Sequence, residues 1–298
     1  MAPTSLDTRQ ITAPGAPPSR PVRRSRIGGR IARIAVAIVL VIMAIGVLYP
    51  LFWMFSSAFK TSVEIFASPW ALPQHLNFDS WVTAWEKGVI AYFANSVFVT
   101  VISLGLVLIL GAAAAFALTK LSIPFAKTIT FLVLGGLMVS PTMILVPLFQ
   151  LLQLLNLYDT HAGLIVIYVA YWLPFTIFLI RAYMLTIPND MTEAARIDGA
   201  STLQLFTKII LPLCKPVLVS AGLVYVLFAW NEFPFALVLI NDPELKTLPV
   251  GLLDFKSALQ TDWPVLFAGL AIAAIPMMLA FAIGQRHFVR GLAEGMGK

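Results

Sequence analysis

The chain has 298 residues, 59% of them hydrophobic and 11% charged, with a mean hydropathy of +0.89. Soluble domains carry roughly 25% charged residues, so apolar side chains in such excess, gathered into long uncharged runs, mark an integral membrane protein. The net charge of +6 sits at the ends of those runs and does not call for nucleic acid; the single cysteine, Cys214, excludes an internal disulfide, and His75, His161 and His287 lack metal-ligand spacing.

Residues 1–30 are rich in Pro, Ser, Thr and Arg and poor in large apolar side chains, so they are expected to form a disordered basic tail. The uncharged run 34–59 is too long for the apolar core of a signal peptide, and no small-residue cleavage site comes after it. It reads as a retained first transmembrane helix. Further runs at 88–119, 128–158, 162–180, 216–240 and 263–285 each supply the ~20 apolar residues that cross a bilayer. The expected fold is therefore all-α, with six spans at about 34–56, 91–118, 128–152, 162–183, 216–240 and 264–285 in a transmembrane domain of residues 31–298.

Basic residues set the expected orientation. The tail, the Lys120–Lys127 loop, the stretch with Arg181, Arg196, Lys208 and Lys215, and the end with Arg286, Arg290 and Lys298 alternate with loops holding only Lys60, Lys87, Lys246 and Lys256. The positive-inside rule then puts both termini in the cytoplasm. In the first outer loop, Trp81 and Trp85 stand four apart, as on one face of a short helix; they serve either as an interfacial anchor or as a contact for an extracytoplasmic partner. Small residues at 111–115 invite close helix packing. Pro141, Pro147, Pro174 and Pro276 are candidate kinks.

The longest polar interruption of the C-terminal half is DMTEAARIDGASTLQLFTKIILP, residues 190–212. Asp190 and Glu193 have capping-box spacing and predict a helix start; Gly199 suits a left-handed helix end. Ser201 and Gln204 repeat the capping spacing, and Leu203, Phe206, Ile209, Ile210 and Leu213 predict an apolar face on the second helix. The expected product is a cytoplasmic helix-turn-helix over 185–215 that offers small residues between charged ones.

The pattern Glu193-Ala194-Ala195, three residues, Gly199, nine residues, Ile209, one residue, Leu211-Pro212 resembles the EAA loop of the membrane subunits of bacterial binding-protein-dependent ABC importers. The stretch leading to Asn95-Ser96, the run Ala229 to Phe233, TLPVGL and QRHFVRGLAEG are similar to the carbohydrate-uptake branch. Within it, residues 30 to 298 resemble the second permease of a maltose-transporter-type heterodimer. The resemblance implies that Glu193, Ala194, Ala195, Gly199, Ala200, Ile209, Leu211 and Pro212 couple to a cytoplasmic ATPase subunit dimer that binds ATP and Mg. It also implies a second permease, an extracytoplasmic solute-binding protein, a sugar substrate and a bacterial plasma membrane location.

No G-x-x-x-x-G-K-[ST] loop occurs in the sequence, so this chain is not expected to hydrolyse ATP. A permease of the same architecture for another solute is the second reading. A secondary transporter or channel is the third, although only Glu232 lies well inside a span as that class often requires. Asn231 and Glu232 either lock helices together or line a sugar path, for which Tyr171, Trp172 and Trp230 are candidate platforms.

Overall fold

The computed structural model describes the backbone of residues 26–256 and 261–296 and the side chains of 33–256 and 261–284. Among them every regular element is helical. The basic tail expected at 1–30 lies outside the described residues up to position 25. The chain divides into two compact units, 1–51 and 52–298. The first holds most of α1 (Arg26–Ser57), whose side chains from position 33 to 50 are all exposed. A helix apolar on every side belongs in hydrocarbon.

In the second unit, α2 (Ser62–Ala67) opens with a reciprocal capping box between Thr61 and Glu64. The Thr61 backbone N–H holds the Glu64 carboxyl below its ordinary range. Lys60 is buried, and its ammonium donates to the Pro69 carbonyl (3.1 Å), which also accepts from the Trp53 indole (2.8 Å). The next helix, α3 (Asp79–Ala84), passes through a π turn, Trp85–Val89, into α4 (Ile90–Lys120). Phe59 covers the Trp81 ring at 5.1 Å, so of the tryptophan pair only Trp85 is exposed.

The centre is the pairing of α4 with α7 (His161–Met184). A Cβ on Gly111 would stand 2.7 Å from the Thr176 methyl, and Ala112 and Ala115 are buried. With little hydrophobic force between helices in lipid, such small residues admit the close contact that holds them. Phe98 meets His161 at one end, and the Thr119 hydroxyl meets the Met184 sulfur at the other, so α4 and α7 run parallel. Antiparallel to them lies α11 (Lys215–Trp230): Gly222 faces Leu104 and Leu108, and Trp230 faces Phe93. The last helix, Trp263–Met296, reverses again, with Ala273 opposite Trp230 and Gly284 opposite Leu223.

Two of the six expected spans are not single helices. Among the described residues four helices, Arg33–Ser57, Asp79–Lys120, His161–Met184 and Trp263–Gly284, are long and apolar enough to cross a membrane, and two bent pairs, Ala126–Gly136 with Pro141–Leu154 and Thr202–Leu213 with Lys215–Trp230, bring the number to six at most. The span expected at 128–152 is α5 (Ala126–Gly136) and α6 (Pro141–Leu154), bent by 100°. Pro141 has no N–H to continue α5 and forces Ser140 into an extended conformation (ψ 136°). The span expected at 216–240 stops at Trp230, and a short helix, α12 (Pro234–Leu239), comes next. Sixteen residues of α11 reach about 24 Å, short of the ~30 Å hydrocarbon core.

Candidate functional site

At the Lys120 end of the bundle, α8 (Asn189–Ile197) is followed by α9 (Thr202–Gln204), a π stretch, Leu205–Ile210, and α10 (Leu211–Leu213). The capping box expected from Asp190 and Glu193 is not formed. Pro188 occupies the cap position and the helix begins one residue before Asp190, so no side chain caps it. Asp190 instead lies in the first turn, where a carboxylate suits the positive end of the dipole. The other end agrees with the expectation. Gly199 takes φ +83°, its N–H bonds Arg196 O, and the Ala200 N–H bonds Ala195 O, both at 3.0 Å. Those two bonds make a Schellman closure. Ser201 and Gln204 form their reciprocal capping box.

The expected apolar face of the second helix is rotated. Leu205 and Ile210 are fully buried, Phe206 and Ile209 are half-buried, and Leu203 is 70% exposed, with Leu213 also exposed. Pro212 cannot donate, and the Leu211 N–H bonds Phe206 O, five residues back. One extra residue in the turn rotates the rest of the helix by about 100°. The buried line therefore runs Leu205, Ile210, Cys214, Val217 and joins Ala112, Ala115 and Phe116 of α4, Ile180 and Met184 of α7, and Ala195 of α8. Ala195 thus anchors α8, whereas Glu193 and Ala194 are exposed and Ile197 is 86% exposed. Ala200 and Leu211 are half-buried, and Pro212 is exposed.

The pathway candidates divide into two groups. Tyr171 and Trp172 meet edge to face at 5.5 Å; Tyr171 packs on Phe235, and Trp172 stacks on Phe228 at 4.5 Å. Trp230 points elsewhere: it is buried, donates to Ala273 O at 3.1 Å and packs edge-on to Phe93. Asn231 returns to its own helix at Leu227 O (2.7 Å). Glu232 accepts from the Tyr168 hydroxyl (2.6 Å) and from the Phe235 (2.7 Å) and Ala236 (3.1 Å) backbone N–H groups. It closes the break between α11 and α12, where free N–H groups in lipid would be costly. Sequence reasoning missed Tyr168 and Phe228. The i, i+3, i+4 spacing of Tyr168, Tyr171 and Trp172 was the available signal.

At the opposite end, the segment after α12 is stitched to α4. The Asn95 amide donates to Glu244 O (2.7 Å) and Lys246 O (3.0 Å), and the Leu248 N–H donates to the Ser96 hydroxyl (2.8 Å). Asp159, at φ 56°, accepts from the Asn241 (2.8 Å) and Asp242 (3.0 Å) N–H groups. Tyr92 donates to Asp254, which pairs with Lys246 at 2.7 Å.

Fold and site together define a multi-pass helical membrane protein with short capped helices packed at one end of its bundle. The chain belongs to the family of binding-protein-dependent transport system inner membrane components, which matches residues 19–294. Members of this family are transport subunits and not enzymes. The chain is 43% identical over 268 residues to the probable ABC transporter permease protein YurM of Bacillus subtilis (strain 168), covering 90% of this chain and 89% of that protein. It is 34% identical over 259 residues to the diacetylchitobiose uptake system permease protein NgcG of Streptomyces coelicolor (strain ATCC BAA-471 / A3(2) / M145), covering 86% of each. A chain in the crystal structure of a bacterial ABC transporter involved in the import of the acidic polysaccharide alginate matches with a TM-score of 0.80 at 27% identity, over 88% of this chain and 98% of that one.

Proposed function

We propose that this chain is one of two permease subunits of an ATP-driven importer for a sugar or oligosaccharide, and that residues 185–215 are its cytoplasmic coupling loop. The observation that carries the reading is α8 itself, closed by Gly199, anchored through Ala195, and turning Glu193, Ala194 and Ile197 outward. A helix so fixed transmits a displacement that a loose loop would absorb. Relatives named for diacetylchitobiose and alginate import support a carbohydrate substrate. On this reading a partner ATPase dimer binds ATP and Mg, a solute-binding protein delivers the sugar outside, and rocking of the two permeases exchanges inward- and outward-facing states. The alternation of basic loops supports cytoplasmic termini in a bacterial plasma membrane. Tyr171 and Trp172, with Phe228, are proposed to offer ring faces to the sugar, while Trp230, Asn231 and Glu232 hold the scaffold behind them. The test is reconstitution. The chain alone should hydrolyse no ATP above background, and addition of the ATPase subunits, second permease and binding protein should give ATP-dependent uptake from a panel of labelled mono- and oligosaccharides. ATP hydrolysis by the purified chain, or an assembly that imports a non-carbohydrate solute and no sugar on the panel, refutes it.

A further inference from the structure

Lys120, the last residue of α4, does more than mark a loop as basic. Its ammonium donates to Ile187 O (2.7 Å) and to the Asn189 side-chain oxygen (2.9 Å), while its own carbonyl accepts from the Arg196 guanidinium (3.0 Å). Asn189 is the first residue of α8, Ile187 stands two residues before it, and Arg196 lies in the last turn. A single residue of α4 is thus tied to both ends of the coupling helix. One tie would leave α8 free to pivot, whereas two ties about seven residues apart, or ~10 Å of helix, resist tilting as well as translation. The Lys120 carbonyl is one of the four left without an intrahelical partner at the end of α4, so a guanidinium there is doubly favoured. Neither cation is spent on a carboxylate: the ion pairs among the described residues are Lys87–Asp262 and Lys246–Asp254. Beneath the polar ties, Ile187 and Ala195 pack in the same apolar cluster as Ala115, Phe116 and Met184.

We propose that Lys120 and Arg196 are positioning residues, a reciprocal clamp that makes α8 and the parallel pair α4–α7 one mechanical body, so that force on the coupling helix reaches the membrane helices undiminished. This rests on the coupling-loop reading. A helix held only by its chain connections would pass its motion to α7 and α11 and not directly to α4.

The test uses the assembled transporter in nanodiscs, with spin labels at the exposed positions Ser122 and Asp198 and distances measured without nucleotide and with vanadate-trapped Mg-ATP. The parent should give the same narrow distance in both states. The Lys120→Met/Arg196→Gln pair should retain its ATPase subunits yet show a second distance population on trapping, and import per ATP hydrolysed should fall about tenfold. Lys120→Arg should behave more like the parent. An unchanged narrow distance in the double variant, a parent distance that itself shifts between states, or loss of the ATPase subunits from the double variant overturns the clamp. Should the double variant not accumulate, Arg196→Gln alone, which leaves the Lys120 ammonium bonds in place, decides the matter by the same two readings. Gly199→Val is run in parallel. If it recruits the ATPase and imports like the parent, the coupling-loop reading fails; if only the clamp variants behave like the parent, the clamp alone fails.

Discussion

Replacing Glu232 separates its two candidate roles. The carboxylate accepts three hydrogen bonds, two from the first N–H groups of α12 and one from Tyr168. Loss of a helix cap costs about 1 kcal/mol. A buried hydroxyl left alone costs about 1–3 kcal/mol in a soluble protein, but interhelical hydrogen bonds in membranes average only about 0.6 kcal/mol because the unfolded state also finds partners. The backbone term dominates, since N–H groups at the break have no substitute in lipid. Glu232→Ala should therefore cost about 1–3 kcal/mol, Glu232→Gln about half as much because one amide oxygen still accepts, and Tyr168→Phe the least. Cys214 is the only cysteine and is buried, so a thiol-reactive dye reports unfolding directly. At about 2–4 °C per kcal/mol, Glu232→Ala should melt on the order of 5 °C below the parent, with Tyr168→Phe close to it. A Glu232→Ala protein that melts with the parent yet imports nothing would falsify the scaffold role and make the carboxylate a substrate contact.

The contact of Gly111 with Thr176 gives a reciprocal test. Gly111→Ala should overpack the α4–α7 seam by about 1–3 kcal/mol, and adding Thr176→Ser, which removes the methyl 2.7 Å from the new Cβ, should recover most of the loss in the same dye assay. No recovery would mean that the helices are not in contact there. For orientation, a reporter active only outside the cytoplasm should be active when fused after Asp254 and silent after Lys208; the reverse would overturn the loop assignment.

Much of the plan was legible because lipid restricts what a sequence can do. Six apolar runs, the glycine turn at 199 and the Ser201–Gln204 cap each arise from a local rule. What escaped was decided by proline and by tertiary contact. Pro188 takes the cap position that the Asp190–Glu193 spacing claims, and Pro141 and Pro234 break spans that read as continuous. Pro212 accompanies a π turn that moves the apolar face onto Leu205 and Cys214. Composition registers such prolines as tolerable in a membrane helix, and periodicity assumes the regular turn they interrupt. Glu232 stood out as an anomaly but not as a cap, because its partners lie ahead in the chain at Phe235 and Ala236 and across the bundle at Tyr168.

The central claim is that the helix closed by Gly199 carries the work of an ATPase to the membrane, and Gly199→Val tests it most directly. Beyond its two chain neighbours no atom lies within 4 Å of a Cβ at this position, so the first side-chain carbon has room, and the backbone penalty is the roughly 1–2 kcal/mol of an L-residue in the left-handed region. The fold should accommodate it. At matched membrane levels, Gly199→Val should therefore insert normally while sugar uptake falls and ATPase co-purification weakens or becomes uncoupled from import. Gly199→Ala should be milder, and Asp198→Ala should be tolerated. Parental uptake with parental ATPase recovery in Gly199→Val would contradict the account and leave residues 185–215 as a connector.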